Sequence, residues 1–158
     1  MYDLNEIDIR FIDSEDWERA MSLSYETFLR FDASEFTEEG IANFRDFVSD
    51  NFLKRLFENG SYQVIGAYYR GRMIGVISLK DGSHISLLFV NEDFQKIGVG
   101  RALVLSLADY AKLKLHTNEL SVNASPYATE FYHKVGFTDV GPMVNTSGIS
   151  YTPMKYII

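Results

Sequence analysis

Residues 85–102 read Ile-Ser-Leu-Leu-Phe-Val-Asn-Glu-Asp-Phe-Gln-Lys-Ile-Gly-Val-Gly-Arg-Ala. An apolar strand runs into a short polar turn, and the turn opens a helix with two glycines and no acidic side chain. Such a helix start leaves backbone N–H groups without partners and carries the positive end of the macrodipole. Gly98 and Gly100 let a bulky anion approach that backbone closely, and Lys96 and Arg101 add charge beside it. The chemistry this spacing favours is a cradle for a diphosphate.

Two familiar diphosphate loops do not fit. A nucleoside-triphosphate loop needs Lys followed by Ser or Thr after its last glycine, and neither is present. A dinucleotide fingerprint needs a third small residue where Leu103 stands, and the elements before it read as an antiparallel meander rather than a parallel unit.

The elements that must position the cradle follow from periodicity. Ile7–Ile12 alternates as a strand, after which Asp13 is placed to cap a helix bearing Trp17, Ala20, Met21 and Phe28. Thr37 is placed to cap further helix that Asn59-Gly60 ends; whether residues 37–59 form one helix or two stays open. The period then changes. Tyr62–Tyr69, Met73–Leu79 and His84–Val90 read as three antiparallel strands joined by short glycine-containing turns. A helix follows over about 98–114, then a strand over 119–124 and a helix opened by Pro126 and ended by Gly136. Phe137–Val144 and Ser150–Ile158 read as closing strands. The order predicts one α/β (α+β) domain spanning residues 1–158, with a mixed sheet.

Composition narrows the class. The 158 residues contain no cysteine, which removes disulfides, thiolate metal sites and a cysteine nucleophile together. Neither a signal-peptide pattern nor an 18-residue apolar run is present, so the expectation is a soluble, cytoplasmic protein without membrane contact. The net charge of −7 argues against a nucleic-acid partner. Residues 1–60 hold 15 Asp+Glu against 6 Lys+Arg, a net of −9, and residues 61–158 hold 7 against 9, a net of +2. That asymmetry fits two unlike ligands; it fits equally an acidic surface that only solvates helices. No His/Asp/Glu spacing reads as a metal site.

Gln95-Lys-Ile-Gly98-Val-Gly100 resembles the Gln/Arg-x-x-Gly-x-Gly/Ala signature of the Gcn5-related N-acetyltransferase (GNAT) superfamily, in its small bacterial type. Downstream, Ser125-Pro-Tyr-Ala128-Thr-Glu-Phe-Tyr132-His-Lys-Val-Gly136-Phe137 resembles that family's second motif at unbroken spacing. The resemblance covers nearly the whole chain. It implies a mostly antiparallel sheet of six to seven strands, flanked by about four helices and splayed between its fourth and fifth strands.

What the resemblance implies about function is acetyl-CoA as acyl donor, without a metal, and an amine as acceptor. The diphosphate would lie on Gln95, Lys96, Ile97, Gly98, Val99, Gly100 and Arg101. The pantetheine arm would lie along Leu88, Phe89 and Val90, with Asn123 on the opposite strand. A main-chain N–H near Phe89 or Val90 would hold the thioester oxygen, and Tyr132 would stand at the sulfur. Phe131 is the alternative inward residue on that helix, and Tyr127 a more distant candidate. Glu26, His84, Ser86 and Glu92 are candidates by position for a base. A homodimer is common among such proteins.

Free tyrosine titrates near about 10 and a thiol near about 8.5, so full proton transfer to the thiolate is uphill by about 2 kcal/mol. A hydrogen bond to the sulfur is the cheaper role. An amine of pKa about 10.4 is neutral in only about one molecule in 2,500 at pH 7, so a base is useful. With the acidic half expected to wall the acceptor side, the acceptor reads as a cationic amine, either a small molecule or a lysine side chain. Tyr25, Phe28, Phe31 and Phe36 are placed to line an apolar part of that groove. A domain that binds acetyl-CoA without turnover is the alternative.

Overall fold

The computed structural model describes residues 2–158. Its strands are β1 (Ile7–Phe11), β2 (Tyr62–Tyr69), β3 (Arg72–Lys80), β4 (His84–Val90), β5 (Glu119–Ala124), β6 (Thr138–Asp139), β7 (Val144–Thr146) and β8 (Ile149–Ile157). The helices are α1 (Trp17–Phe31), α2 (Glu38–Val48), α3 (Asn51–Glu58), α4 (Val99–Leu115) and α5 (Thr129–Val135). The sheet runs β1-β2-β3-β4-β5-β8-β6, with β7 on β8. Every pairing is antiparallel except β4 with β5.

Helices cover both faces, so β2 and β3 are buried on both and read as near-continuous apolar runs rather than alternating ones. On one face α4 packs Val99, Leu103, Leu107 and Ala111 against Ile74, Ile77, Leu79 and Ile85. On the other, α1 packs Trp17, Met21 and Leu23 against Val64, Val76 and Leu87. The sheet is therefore held between two helical layers, with its β4–β5 boundary in the middle.

Several sequence expectations are decided here. Residues 37–59 form two helices, because Asp50 breaks the first and caps the second by accepting from the Phe52 amide at 2.8 Å. Thr37 caps α2 by accepting from Gly40 at 3.3 Å, as its position predicts. Asp13 does not cap α1: a 3-10 turn over Ser14–Asp16 intervenes, and the Asp13 side chain makes no capping bond. Pro126 lies before α5, in a turn closed by Ala128 N–H donating to Ser125 C=O at 2.9 Å.

The expected strand over 137–144 is two short pieces, interrupted at Gly141-Pro142, where proline offers no ladder donor. β7 then turns into β8 through Ser147 and Gly148, both at positive φ, the geometry of a two-residue hairpin turn. That turn docks on α2. Thr37 N–H donates to Gly148 C=O at 3.0 Å, and a Cβ on Gly40 would collide with the same carbonyl. The docking closes one end of the groove described next. The sheet thus has eight strands and five α-helices among the described residues, slightly more than expected, and it is splayed where expected.

Candidate active site

β4 and β5 pair at only two positions, His84 with Ser121 and Ile85 with Val122. Beyond them β4 stays paired with β3 up to Val90, and β5 stays paired with β8 up to Ala124, so the two strands separate into a wedge. The local cause is a bulge. Ser78 faces Leu87 and Leu79 faces Ile85, which leaves Ser86 as an extra residue that turns β4 away from β5.

The bulge also decides which backbone groups the wedge exposes. Before it, Ser83 C=O faces β5 and accepts from Ser121 N–H at 2.9 Å. After it, Asn91 N–H donates to Ile74 C=O on β3 at 2.8 Å, so alternation turns Phe89 and Leu87 toward β3 and Leu88 and Val90 toward the wedge. The Val90 carbonyl is occupied by the Gln95 side-chain amide at 2.9 Å. The free main-chain groups along the wedge are thus those of Leu88 and the N–H of Val90. Phe89 contributes its ring to the cavity wall, 5.8 Å from that of Phe44, and its amide faces β3.

The cradle stands at the wide end. Lys96 adopts φ 66° and Gly98, the residue capping α4, φ 101°. The first helical bond runs from Ala102 N–H to Gly98 C=O at 3.0 Å, and the amides from Lys96 to Arg101 have no acceptor among the described residues. The first turn of α4 carries no acid, and the Lys96 and Arg101 side chains are exposed beside it. Gly100 approaches Phe131 so closely that a Cβ would stand 3.0 Å from the ring. Phe131 therefore packs on the cradle, and Tyr132 is the buried neighbour.

A cavity of about 1000 Å³ runs from this cradle along the wedge into a space walled by α1, α2 and the start of β8. Gln95, Lys96, Gly98, Val99, Gly100, Arg101, Leu88, Phe89, Val90, Asn123 and Tyr132 all line it. Ile97 lies outside the lining, half-buried against the α4 core. Burial pushes the Tyr132 hydroxyl well above the usual tyrosine range, and the nearby Asp32 charge adds to the effect. The hydroxyl makes no hydrogen bond to another described residue, while its ring is held edge-on by Phe131 at 5.2 Å and Phe137 at 5.0 Å. Tyr127 stacks on Phe31 at 5.4 Å and donates a long hydrogen bond of 3.5 Å to Gln95 Oε1, bridging the cavity mouth.

The base candidates separate clearly. Glu26 and Glu92 are exposed and outside the cavity, with Glu92 paired to Arg30 at 2.7 Å. Ser86 is locked into a ring of three hydroxyls with Tyr62 at 2.7 Å and Ser78 at 2.8 Å. His84 lines the cavity with Nδ1 2.8 Å from Ser121 Oγ, and burial lowers its pKa, which favours the neutral ring.

Sequence reading missed Asp32. It follows the last turn of α1, is 7% exposed, lines the cavity, and accepts from Ser125 Oγ at 2.7 Å through Oδ1. Its Oδ2 has no partner among the described residues. Burial raises its pKa, and the Ser125 bond opposes that only in part. The rest of the acidic half lies outside the cavity: among its carboxylates Asp32 alone lines it. The acidic wall expected on the acceptor side is thus one buried side chain among aromatic rings.

Asp32 carries a stability prediction. Below its ordinary value of 3.8 the group is protonated in folded and unfolded chains alike. As pH rises through the elevated folded value, the unfolded chain has released a proton that the folded chain still holds, so stability falls. Asp32→Asn keeps the acceptor for Ser125 and removes the buried charge. It is expected to raise the melting midpoint at pH 7 to 8, with the gain vanishing toward pH 3; a lower midpoint at pH 8 would contradict the assignment.

Residues 32–158 match the acetyltransferase (GNAT) domain family. No curated protein matches the sequence. Among solved structures, a GCN5-related N-acetyltransferase from Rhodopseudomonas palustris superposes with a TM-score of 0.81 at 24% identity, over 96% of this chain and 95% of that one. The PaiA N-acetyltransferase of Thermoplasma acidophilum, solved with coenzyme A, gives 0.76 at 23% over 96% and 99%. The Vibrio cholerae spermidine N-acetyltransferase, solved with coenzyme A and spermine, gives 0.67 at 14% over 97% and 96%.

Proposed function

Because the chain belongs to the GNAT acetyltransferase family, we propose that it moves an acetyl group from acetyl-CoA to a primary amine by direct attack on the thioester. The observation that carries this reading is the row of free amides from Lys96 to Arg101 at the open end of an unzipped parallel strand pair. A diphosphate desolvated there gains several charge-assisted hydrogen bonds. The pantetheine arm then continues along the free edge of β4, pairing with Leu88 as an added strand would. Asn123 faces it from β5.

The thioester carbonyl lies deeper in the wedge, where a β4 edge amide receives the oxygen as it gains charge. The amine nitrogen bonds to the carbonyl carbon, the carbon–sulfur bond breaks, and the two electrons of that bond leave with sulfur. Tyr132 stands at the sulfur with an uncommitted hydroxyl. Two protons leave the nitrogen overall: one is taken up by a base before attack, and one ends on the thiol.

Incubating the purified protein with acetyl-CoA and a panel of primary amines, and reading free thiol, tests this. Amine-dependent thiol release is the expected result. Coenzyme A binding without release for any amine would leave the binding domain as the surviving description, and absence of binding would remove both.

A further inference from the structure

We propose that the acceptor is a monoamine with an apolar body, held by Asp32 at its nitrogen and by the rings of Phe28, Phe36, Phe44 and Phe47 along its carbon skeleton. This rests on the acetyl-transfer reading and narrows its substrate class. Those four rings form one continuous wall of the cavity. Phe28 lies 4.2 Å from Phe44 and 5.1 Å from Phe36, and Phe44 lies 6.5 Å from Phe47. Gly40, Asn43, Ile149 and Tyr151 line the cavity beside them, none of them Asp, Glu, Lys, Arg or His.

Asp32 is the one buried carboxylate of the lining; the other, Glu130, is exposed on α5 and paired with Lys134 at 3.1 Å. Asp32 sits where the end of α1 meets the end of β5, tied there by Ser125, and it lines the same cavity as Tyr132. In the proposed complex the substrate nitrogen lies against Oδ2, in the cavity that Tyr132 also lines. The Asp32 carboxylate supplies what an ammonium needs on leaving water, a counter-charge and a proton acceptor. Oδ2 takes one proton from the ammonium, the neutral nitrogen attacks the thioester, and the acid later releases that proton to solvent.

A polyamine would bring a second ammonium into a ring-lined space with no second buried carboxylate, and Glu130 is already paired with Lys134, so the extra charge is strongly disfavoured. The likeness to the Vibrio cholerae spermidine enzyme, at 14% identity, is one of fold.

The experiment compares kcat/KM for methylamine, butylamine, hexylamine and 1,6-diaminohexane, with spermidine as a further acceptor. For the monoamines, a rise of about fourfold per methylene is expected while the chain stays within the cavity. Hexylamine is expected to exceed 1,6-diaminohexane, which has the same length and one more charge, by at least about tenfold. Phe36→Ala is expected to flatten the chain-length dependence. Asp32→Asn is expected to lower kcat/KM for hexylamine by at least about tenfold, steepen its dependence on pH, and leave the dissociation constant for coenzyme A as it was.

Preference for spermidine or 1,6-diaminohexane, or an unaltered hexylamine rate in Asp32→Asn, overturns the assignment while acetyl transfer stands. Failure of every amine to release thiol overturns acetyl transfer itself.

Discussion

Gly98→Val is expected to weaken coenzyme A binding at least about a hundredfold. Gly98 holds φ 101°, where a β-branched residue is strongly disfavoured, and its Cβ would stand 3.2 Å from Leu4 Cδ2. The substituted residue either keeps that strained conformation or relaxes and rotates the cradle amides away from the anion. Losing two hydrogen bonds to a charged group costs about 3–6 kcal/mol, a factor of about 10² to 10⁴ in affinity. The backbone strain itself is worth about 1–3 kcal/mol, less than the usual 5–15 kcal/mol of a folded domain, so the variant should remain folded. Gly71→Val is the matched control. Gly71 also sits at positive φ (82°), but in the β2–β3 turn with open space around its Cβ. It is expected to lower the melting midpoint by a similar amount and leave calorimetric binding of coenzyme A untouched. Equal affinity in wild type and a folded Gly98→Val would place the diphosphate elsewhere.

The cradle was legible because its chemistry is local. Two glycines, two cations and the missing acids all lie within eight residues, and the conformation they require is set by nearest neighbours. The β2–β3–β4 meander was legible for the same reason, through turns at Arg70-Gly71 and Asp81-Gly82. The wedge was not readable from residue types. It depends on a bulge at Ser86, and neither Gly nor Pro marks the position; only the family resemblance pointed to a splay there.

The choice between the Phe89 and Val90 amides stayed open in the sequence for a related reason. Strand alternation gives the right answer only once the bulge has shifted the parity, and Phe89 then turns its amide to β3. Asp32 was hidden among 15 acids of the first 60 residues. A signal did exist: it stands at the C-terminal end of α1, where the helix dipole disfavours negative charge. An acid that is unfavourable by local rules is a candidate for selection by function.

Tyr132→Phe is expected to lower kcat about 10- to 100-fold with little change in the affinity for coenzyme A, the range a lost hydrogen bond to a charged group allows. The Tyr132 ring is enclosed by Phe131 and Phe137 and fills the same space as phenylalanine, so packing is conserved. The hydroxyl has no partner among the described residues, so removing it breaks no protein hydrogen bond, and the melting midpoint should stay level or rise. A merely structural tyrosine would show neither a rate loss nor this dissociation between rate and stability.

The pH profile adds a second constraint. Burial and the Asp32 charge hold the hydroxyl protonated well past the ordinary tyrosine value, so it is a poorer acid than tyrosine in water. Complete proton transfer to a thiolate is then still more uphill, and the useful act is to donate a hydrogen bond as charge gathers on sulfur. No alkaline limb from Tyr132 should appear in kcat up to pH 10. A wild-type rate that falls between pH 8 and 10, with the fall absent in Tyr132→Phe, would show instead that the tyrosine gives up its proton. An unchanged kcat in Tyr132→Phe would leave departure of the thiolate to solvent alone.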